Sequence, residues 1–560
     1  MHKKHQMLLS NLVRGSRRRF RVLWQFLGLF GLVSFLIISC GQPNNQTTTT
    51  PGSSNGDERI IIGTTQTLRT IDPADAYEVI SGNLLYNLGD RLYAYEVGTT
   101  QLQPQLATDF PTISDDRLTY TMPLRQGVLF HDDTPFNAEA MAFSLRRFIE
   151  NGGPPSSLLS DIVDEITATG EYELTIKLKR PFAAFPSLLA FSGACAVSPS
   201  AYEIGPGKFR PNSFVGTGPY VLTEYGVDLI RLNPFEQYWG DKTANQGVDL
   251  QRFSSPANLF NSFRTNAVDI AYISLEPDQI ASLLEGAEQG KWQAITADGN
   301  TINYIVLNVN SEPLDRVEVR QAIASLVDRN LINERVLRGQ AEPLYSLIPT
   351  TFESYLPVFK EAYGDANFEQ AKQLLTEAGF TPENPAVVEL WYGANSQKRQ
   401  ELAATLKALS DNNLGGILQL QPQSVDTTTA FQNLEKGIYP TFILDWYADF
   451  LDPDNYIHPF LDCANGSPET GCVEGASQYH GSFYYSDRMN QLIRQQRTEA
   501  NPETRQAIFH EIQQLLAEDV PFIPLWQDKI HVFAQNNIQG VNLQANQQFP
   551  FWPLAKFTSQ

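Results

Sequence analysis

Histidine, cysteine and methionine are scarce in this chain of 560 residues: seven, four and five. His2 and His5 lie in a basic N-terminal stretch, and the other five (His131, His458, His480, His510 and His531) are scattered. No two fall within one helical turn, so spacing gives no support to a histidine metal site. A GxSxG elbow, an HExxH pair, a Walker A loop and a GxGxxG turn opening a helix are all missing, and with them the chemistries those patterns serve. Val215-Gly-Thr-Gly-Pro-Tyr220 is glycine-rich but no Lys follows it, so it reads as a turn and not a phosphate cradle. Cations are also few, with 41 Lys and Arg against 62 Asp and Glu, a net of −21. The first 40 residues hold Lys3, Lys4, Arg14, Arg17, Arg18, Arg19 and Arg21 and no acid; taking those seven from 41 leaves 34 against 62, a net of −28. A body this acidic is repelled by nucleic-acid phosphates and offers no basic footprint to an anionic membrane surface. A mean hydropathy of −0.26 excludes a polytopic membrane protein. With 42 % apolar and 18 % charged residues, the chain is not disordered, and its length suits about three or four folding units.

The basic stretch ends at Arg21 and an uncharged apolar run, Val22 to Ile38, follows, closing on Ile37-Ile38-Ser39-Cys40. Basic, apolar and small-residue regions in that order form a signal peptide over residues 1–40. The run also approaches the length of a membrane span, but its ending resembles the bacterial lipobox, in which the Cys thiol is lipidated and becomes the new N-terminus. Ser16-Arg17-Arg18-Arg19-Phe20 resembles a twin-arginine export motif, although the strong apolarity suits the general secretory route better. Residues 41–56 contain no aliphatic or aromatic side chain and read as a flexible tether. The expected location is therefore periplasmic, in the cell envelope, with membrane attachment through the lipid on Cys40. Cys463 and Cys472 lie nine positions apart in DCANGSPETGC, a spacing that allows a disulfide-closed loop after export. A metal pair is the alternative, but no CxxC or histidine cluster completes a four-ligand set. Cys195 is left as a small buried residue.

Within the body, Ile60 to Gly63, Leu118 to Leu124 and Tyr172 to Leu178 read as strands. Phe136 to Phe148 has apolar residues at helical spacing, with Asn137 as N-cap. Val319 to Leu337 reads as one amphipathic helix stopped by Gly339, and Phe368 to Ala378 as another ending at Gly379. Ser486 to Arg497 and Thr504 to Ala517 read as helices parted by Asn501-Pro502, and Pro521 to Trp526 as a last extended segment. Strands and helices interleave throughout, which makes this a mixed α/β protein.

Several blocks resemble the bacterial solute-binding protein family 5, the extracytoplasmic receptors of peptide and nickel ABC importers. Thr70-Ile-Asp-Pro73 and Leu102-Gln-Pro-Gln-Leu-Ala-Thr108 are similar to its opening. Leu118 to Asp132 with Thr134-Pro135 and Ala138-Glu139, the 215–220 turn, Val319-Arg-Gln-Ala-Ile-Ala324 with Asp328-Arg329 and Gly339, and Asp445-Trp-Tyr-Ala-Asp-Phe-Leu-Asp-Pro453 follow in family order. Asp116-Arg117 and Asp132-Asp133 stand where the family usually has Asp-Gly, Ala140 replaces a common Asp, and Tyr439-Pro440 replaces a Tyr-Asp pair. The resemblance implies a two-lobed periplasmic-binding-protein fold with an accessory domain: lobe I at 57–91, 198–303 and 527–560, the accessory domain at 92–197 and lobe II at 304–526. It implies a monomeric binding protein, not an enzyme, with no cofactor and no resident metal, that captures a peptide between the lobes and delivers it to a permease driven by a separate ATPase. In family members that bind peptides, the Asp aligned with Asp449 pairs with the ligand's α-ammonium. Trp446, Tyr447 and Phe450 would then wall the site, Trp391, Tyr392 and Tyr77 are further candidates, and Arg399 could take the peptide carboxylate. A nickel chelate, an oligosaccharide or another solute remains open as the ligand. A secreted glycoside hydrolase with paired carboxylates and a chaperone-like surface lipoprotein are the alternatives outside the class.

Overall fold

The computed structural model describes residues 59–273 and 275–557. The expected signal peptide, the expected lipidation site Cys40 and the expected tether lie outside the described residues.

One mixed sheet of eleven strands organises the chain. Ile60–Thr64 lies parallel to Val248–Arg252 and to Ile270–Tyr272, with Leu229–Pro234 and Tyr220–Tyr225 extending that side antiparallel. Ile270–Tyr272 hands the sheet to a long strand, Phe522–Ala534, which runs antiparallel to a second long strand, Gln293–Leu307. These two pair from Gln293↔Ala534 to Asp298↔Lys529, lose register, and resume from Ile302↔Gln527 to Val306↔Phe522. Beyond the interruption Gln293–Leu307 pairs with Thr441–Trp446, which meets Ala386–Gly393 and then Leu418–Val425. Residues 293–298 are half-buried or exposed, whereas 299–307 are buried throughout. Gly299 sits in the interruption, where a Cβ would come within 2.8 Å of the Asp528 carbonyl oxygen.

A separate antiparallel sheet orders Thr112–Ile113, Thr119–Pro123, Glu173–Leu178 and Val163–Gly170. The helix Ala138–Glu150 covers it and buries Met141, Leu145 and Phe148. Asn137 caps this helix by accepting from the Ala140 amide at 3.0 Å. Ser486 and Asn501 likewise cap Asp487–Thr498 and Pro502–Asp519. Arg117 and Asp133, which stand at family glycine positions, keep the left-handed conformation a glycine favours, with φ of 58° and 62°.

The expected single helix from Val319 to Leu337 is two helices, Val317–Leu326 and Arg329–Arg335. The chain turns out at Val327, and Asp328 caps the second helix by accepting from the Leu331 amide at 2.9 Å. The break aims the buried Arg329 guanidinium at the carbonyl oxygens of Leu344 and Pro524 and at Asp365. Those contacts outweigh helical continuity, because a buried guanidinium must have its donors satisfied. In the 215–220 turn, Gly216 and Gly218 lie against the Leu88 backbone, with a Cβ on Gly218 falling 2.4 Å from the Leu88 carbonyl carbon. The glycines thus serve close packing. Cys463 and Cys472 are joined in a disulfide with Cα atoms 5.7 Å apart, while Cys195 is a buried free thiol pushed up to about 12 by burial. Among the described residues no helix is long and apolar enough to cross a membrane.

Candidate ligand-binding site

Tyr77 is positioned from the Asp72-Pro73 turn outward. Asp72 is fully buried, and its carboxylate accepts from both arms of the Arg147 guanidinium (2.8 and 2.6 Å), from the Ala74 amide (2.9 Å) and from the Arg210 amide (2.6 Å). Four good donors fill a carboxylate's acceptor capacity. They pin the turn to the helix Ala138–Glu150 and so fix where Tyr77 projects. The Tyr77 ring meets Phe191 edge-on at 6.3 Å, and Tyr77 and Asp449 line the same small pocket.

Asp449 comes from the other end of the sheet, three residues past the strand Thr441–Trp446. Its amide donates to the Asn455 side-chain oxygen at 3.0 Å, and that oxygen also accepts from the Trp446 indole at 3.3 Å. Asn455 thereby sets the bend after the strand. Burial pushes the Asp449 carboxyl up to about 6, against the nearby polar groups of Tyr77 and Asn455, which favour its charged form. Among the described residues no Lys, Arg or His pairs with it. A pocket of about 50 Å³ lies beside it, between Tyr77, Tyr95, Ser192, Tyr447, Asn546 and Gln548, with room for one small polar group.

The C-terminal segment at 545–548 closes this pocket. Asn300 donates to the Ala545 carbonyl at 2.7 Å, Tyr447 to that of Asn546 at 2.6 Å, and Tyr272 to that of Gln547. Gln547 faces away from the small pocket into a larger cavity of about 710 Å³, which also holds Lys398, Arg399, Asp445, Asp528, Lys529 and His531. Arg399 is ion-paired with Asp445 there, and Lys398 stands 3.8 Å from Asp528. Ser396 caps the helix Gln397–Asn413 that presents both cations.

Of the candidate residues, the structure brings Tyr77, Tyr447 and Asp449 together and leaves others apart. Phe450 is buried edge-on against Phe182 at 6.2 Å. Trp446 packs edge-on against Phe460 at 5.3 Å and near His480. Trp391 lies against Tyr439 at 4.8 Å and donates to Glu389, and with Tyr392 it packs beside the core. None of these four lines either cavity. Sequence reasoning missed Asn546, Gln547 and Gln548, which sit in a polar stretch with no periodicity. Among the described residues no group of three His, Cys, Asp or Glu side chains is placed to hold a metal ion.

A two-part sheet joined by two long strands, with a recessed carboxylate where segments from both parts meet, defines a cleft-type solute receptor. Residues 101–468 match the bacterial extracellular solute-binding proteins, family 5, and the chain belongs to that family. It is 26 % identical over 487 residues to Di/tripeptide-binding protein 2 of Pseudomonas aeruginosa, covering 83 % of this chain and 87 % of that one. It is 25 % identical over 526 residues to heme-binding protein A of Haemophilus influenzae, covering 88 % and 92 %. Its fold matches that of the ABC transporter-associated periplasmic binding protein DppA from Helicobacter pylori in complex with the peptide STSA. The TM-score is 0.72 at 20 % identity, over 90 % of this chain and 99 % of the other. The fold is the two-lobed one of periplasmic binding proteins.

Proposed function

We propose that this receptor captures peptides with a free amino terminus in the cleft between its lobes and passes them to an ABC permease. The observation that carries the reading is Asp449: a recessed carboxylate with no cation paired to it among the described residues, beside a pocket the size of an ammonium group. A charge-assisted hydrogen bond in such a low-dielectric cleft holds a cation strongly, and Tyr77 stands beside the carboxylate in the same pocket. Lobe I then comprises 57–91, 198–303 and 527–560, and lobe II 304–526. The hinge lies where the two long strands lose register. The accessory domain at 92–197 meets lobe II through Phe182 on Phe450 and through the Ala183 amide donating to the Arg497 carbonyl at 2.7 Å. The protein works as a monomer, tethered in the envelope by a lipid on Cys40. Mass spectrometry of ligands released from the purified protein tests the function: free-amino peptides are expected, and heme, a nickel chelate or a sugar would overturn the peptide reading. Lipid labelling that survives Cys40→Ala would overturn the anchor.

A further inference from the structure

The larger cavity has one feature the peptide reading does not use. Arg399 and Asp445 form a pair on its wall, and the two are unequally exposed: 13 % for the Arg399 side chain and 50 % for Asp445. The guanidinium is tucked behind, and the carboxylate faces the open space. The other cations there are also engaged, Lys398 with Asp528 and over the Trp526 ring, and Lys529 with Glu342. Burial holds His531 near 4, so it adds no positive charge at neutral pH.

A ligand carboxylate entering this space must compete with Asp445 for Arg399 and would leave a displaced like charge at its side, which counts against the expectation that Arg399 takes the peptide carboxylate. A ligand cation breaks nothing, because a carboxylate has about four acceptor sites and Asp445 can hold a second cation while keeping Arg399. Asp528, 32 % exposed across the cavity, adds to the same field.

We propose that Asp445 determines specificity, selecting peptides that carry a basic side chain close to the free amino terminus. The proposal rests on the peptide reading of the site: the ligand's ammonium sits at Asp449 and its basic side chain reaches past Gln547 to Asp445. Among receptors with this anchor, the structure therefore assigns lysine- and arginine-containing peptides as the preferred class.

Isothermal titration calorimetry of the purified protein tests this with five tripeptides of equal length: Ala-Ala-Ala, Ala-Lys-Ala, Ala-Ala-Lys, Ala-Glu-Ala and Ala-Ala-Glu. At least one lysine peptide should bind about fivefold to tenfold more tightly than Ala-Ala-Ala, and both glutamate peptides more weakly. In Asp445→Asn, Arg399 loses its partner, so the lysine advantage should vanish and the order of lysine and glutamate peptides reverse. Equal binding of all five, tighter binding of a glutamate peptide, or a lysine advantage that survives in Asp445→Asn overturns the proposal and leaves the peptide reading standing. Absence of binding by all five overturns both. The comparison within the unmutated protein stands even if the variant fails to fold.

Discussion

Burial pushes the Asp449 carboxyl up to about 6. On the proposed function the carboxylate must be ionised to hold an ammonium, so affinity for a free-amino peptide should rise roughly tenfold between pH 5 and pH 7 and then level off. Calorimetry at a series of pH values checks this, and an N-acetylated peptide should show no such rise. The same group bears on stability with a definite sign. Its folded-state pKa lies above the ordinary 3.8, so folding takes up a proton between about pH 4 and 6. Its contribution is most favourable below pH 4 and is lost as pH rises through about 6. Ligand-free Asp449→Asn should therefore be more stable than the parent at pH 7, by about 1–3 kcal/mol, with the gap closing toward pH 4; thermal melts at the two pH values measure it.

The elements around the site are held by a few buried polar groups, and each makes a separable prediction. Asp72→Asn removes the charge partner of a fully buried Arg147. It should cost about 3–5 kcal/mol and also loosen the turn that carries Tyr77, lowering both the melting temperature and peptide affinity. Gly299→Ala places a Cβ against the Asp528 carbonyl oxygen in the interrupted stretch of the long strands. About 1–3 kcal/mol of destabilisation is expected on denaturant titration. Replacing Cys463 and Cys472 together by Ala opens the hairpin loop they close and should cost about 2–3 kcal/mol by the same titration. Many of these elements were legible in the sequence. Asn137, Ser486 and Asn501 announce helix starts, and the apolar alternation of Thr119–Pro123 and Glu173–Leu178 announces strands. Two features were hidden. The break at Val327 depends on where the Arg329 donors find carbonyls, 15 and 195 residues away. The last segment, read as ending at Trp526, runs on to Ala534 because Gln293–Asp298 lies beside it, whatever its own alternation.

Across the whole molecule, the two long strands are the sole sheet link between the parts that carry Tyr77 and Asp449 among the described residues. Their loss of register at Asp298–Ile302 gives a natural place for lobes to move on one another. This also explains which site residues sequence could supply. Tyr77, Tyr447 and Asp449 stood in recognisable blocks, whereas Asn546 to Gln548 reach the cleft from a segment whose Asn and Gln residues carry no pattern. Trp391 and Phe450 looked like binding aromatics, yet neighbouring rings absorb them. The most direct test of the account is calorimetry of one short peptide and its N-acetylated form on the parent protein and on Asp449→Asn, read as a double-mutant cycle. The free-amino peptide should lose about 2–5 kcal/mol of binding on mutation, while the acetylated one should bind weakly to both proteins and lose little. Equal losses for the two peptides, or acetylated peptide binding the parent as tightly as the free one, would contradict an ammonium held at Asp449.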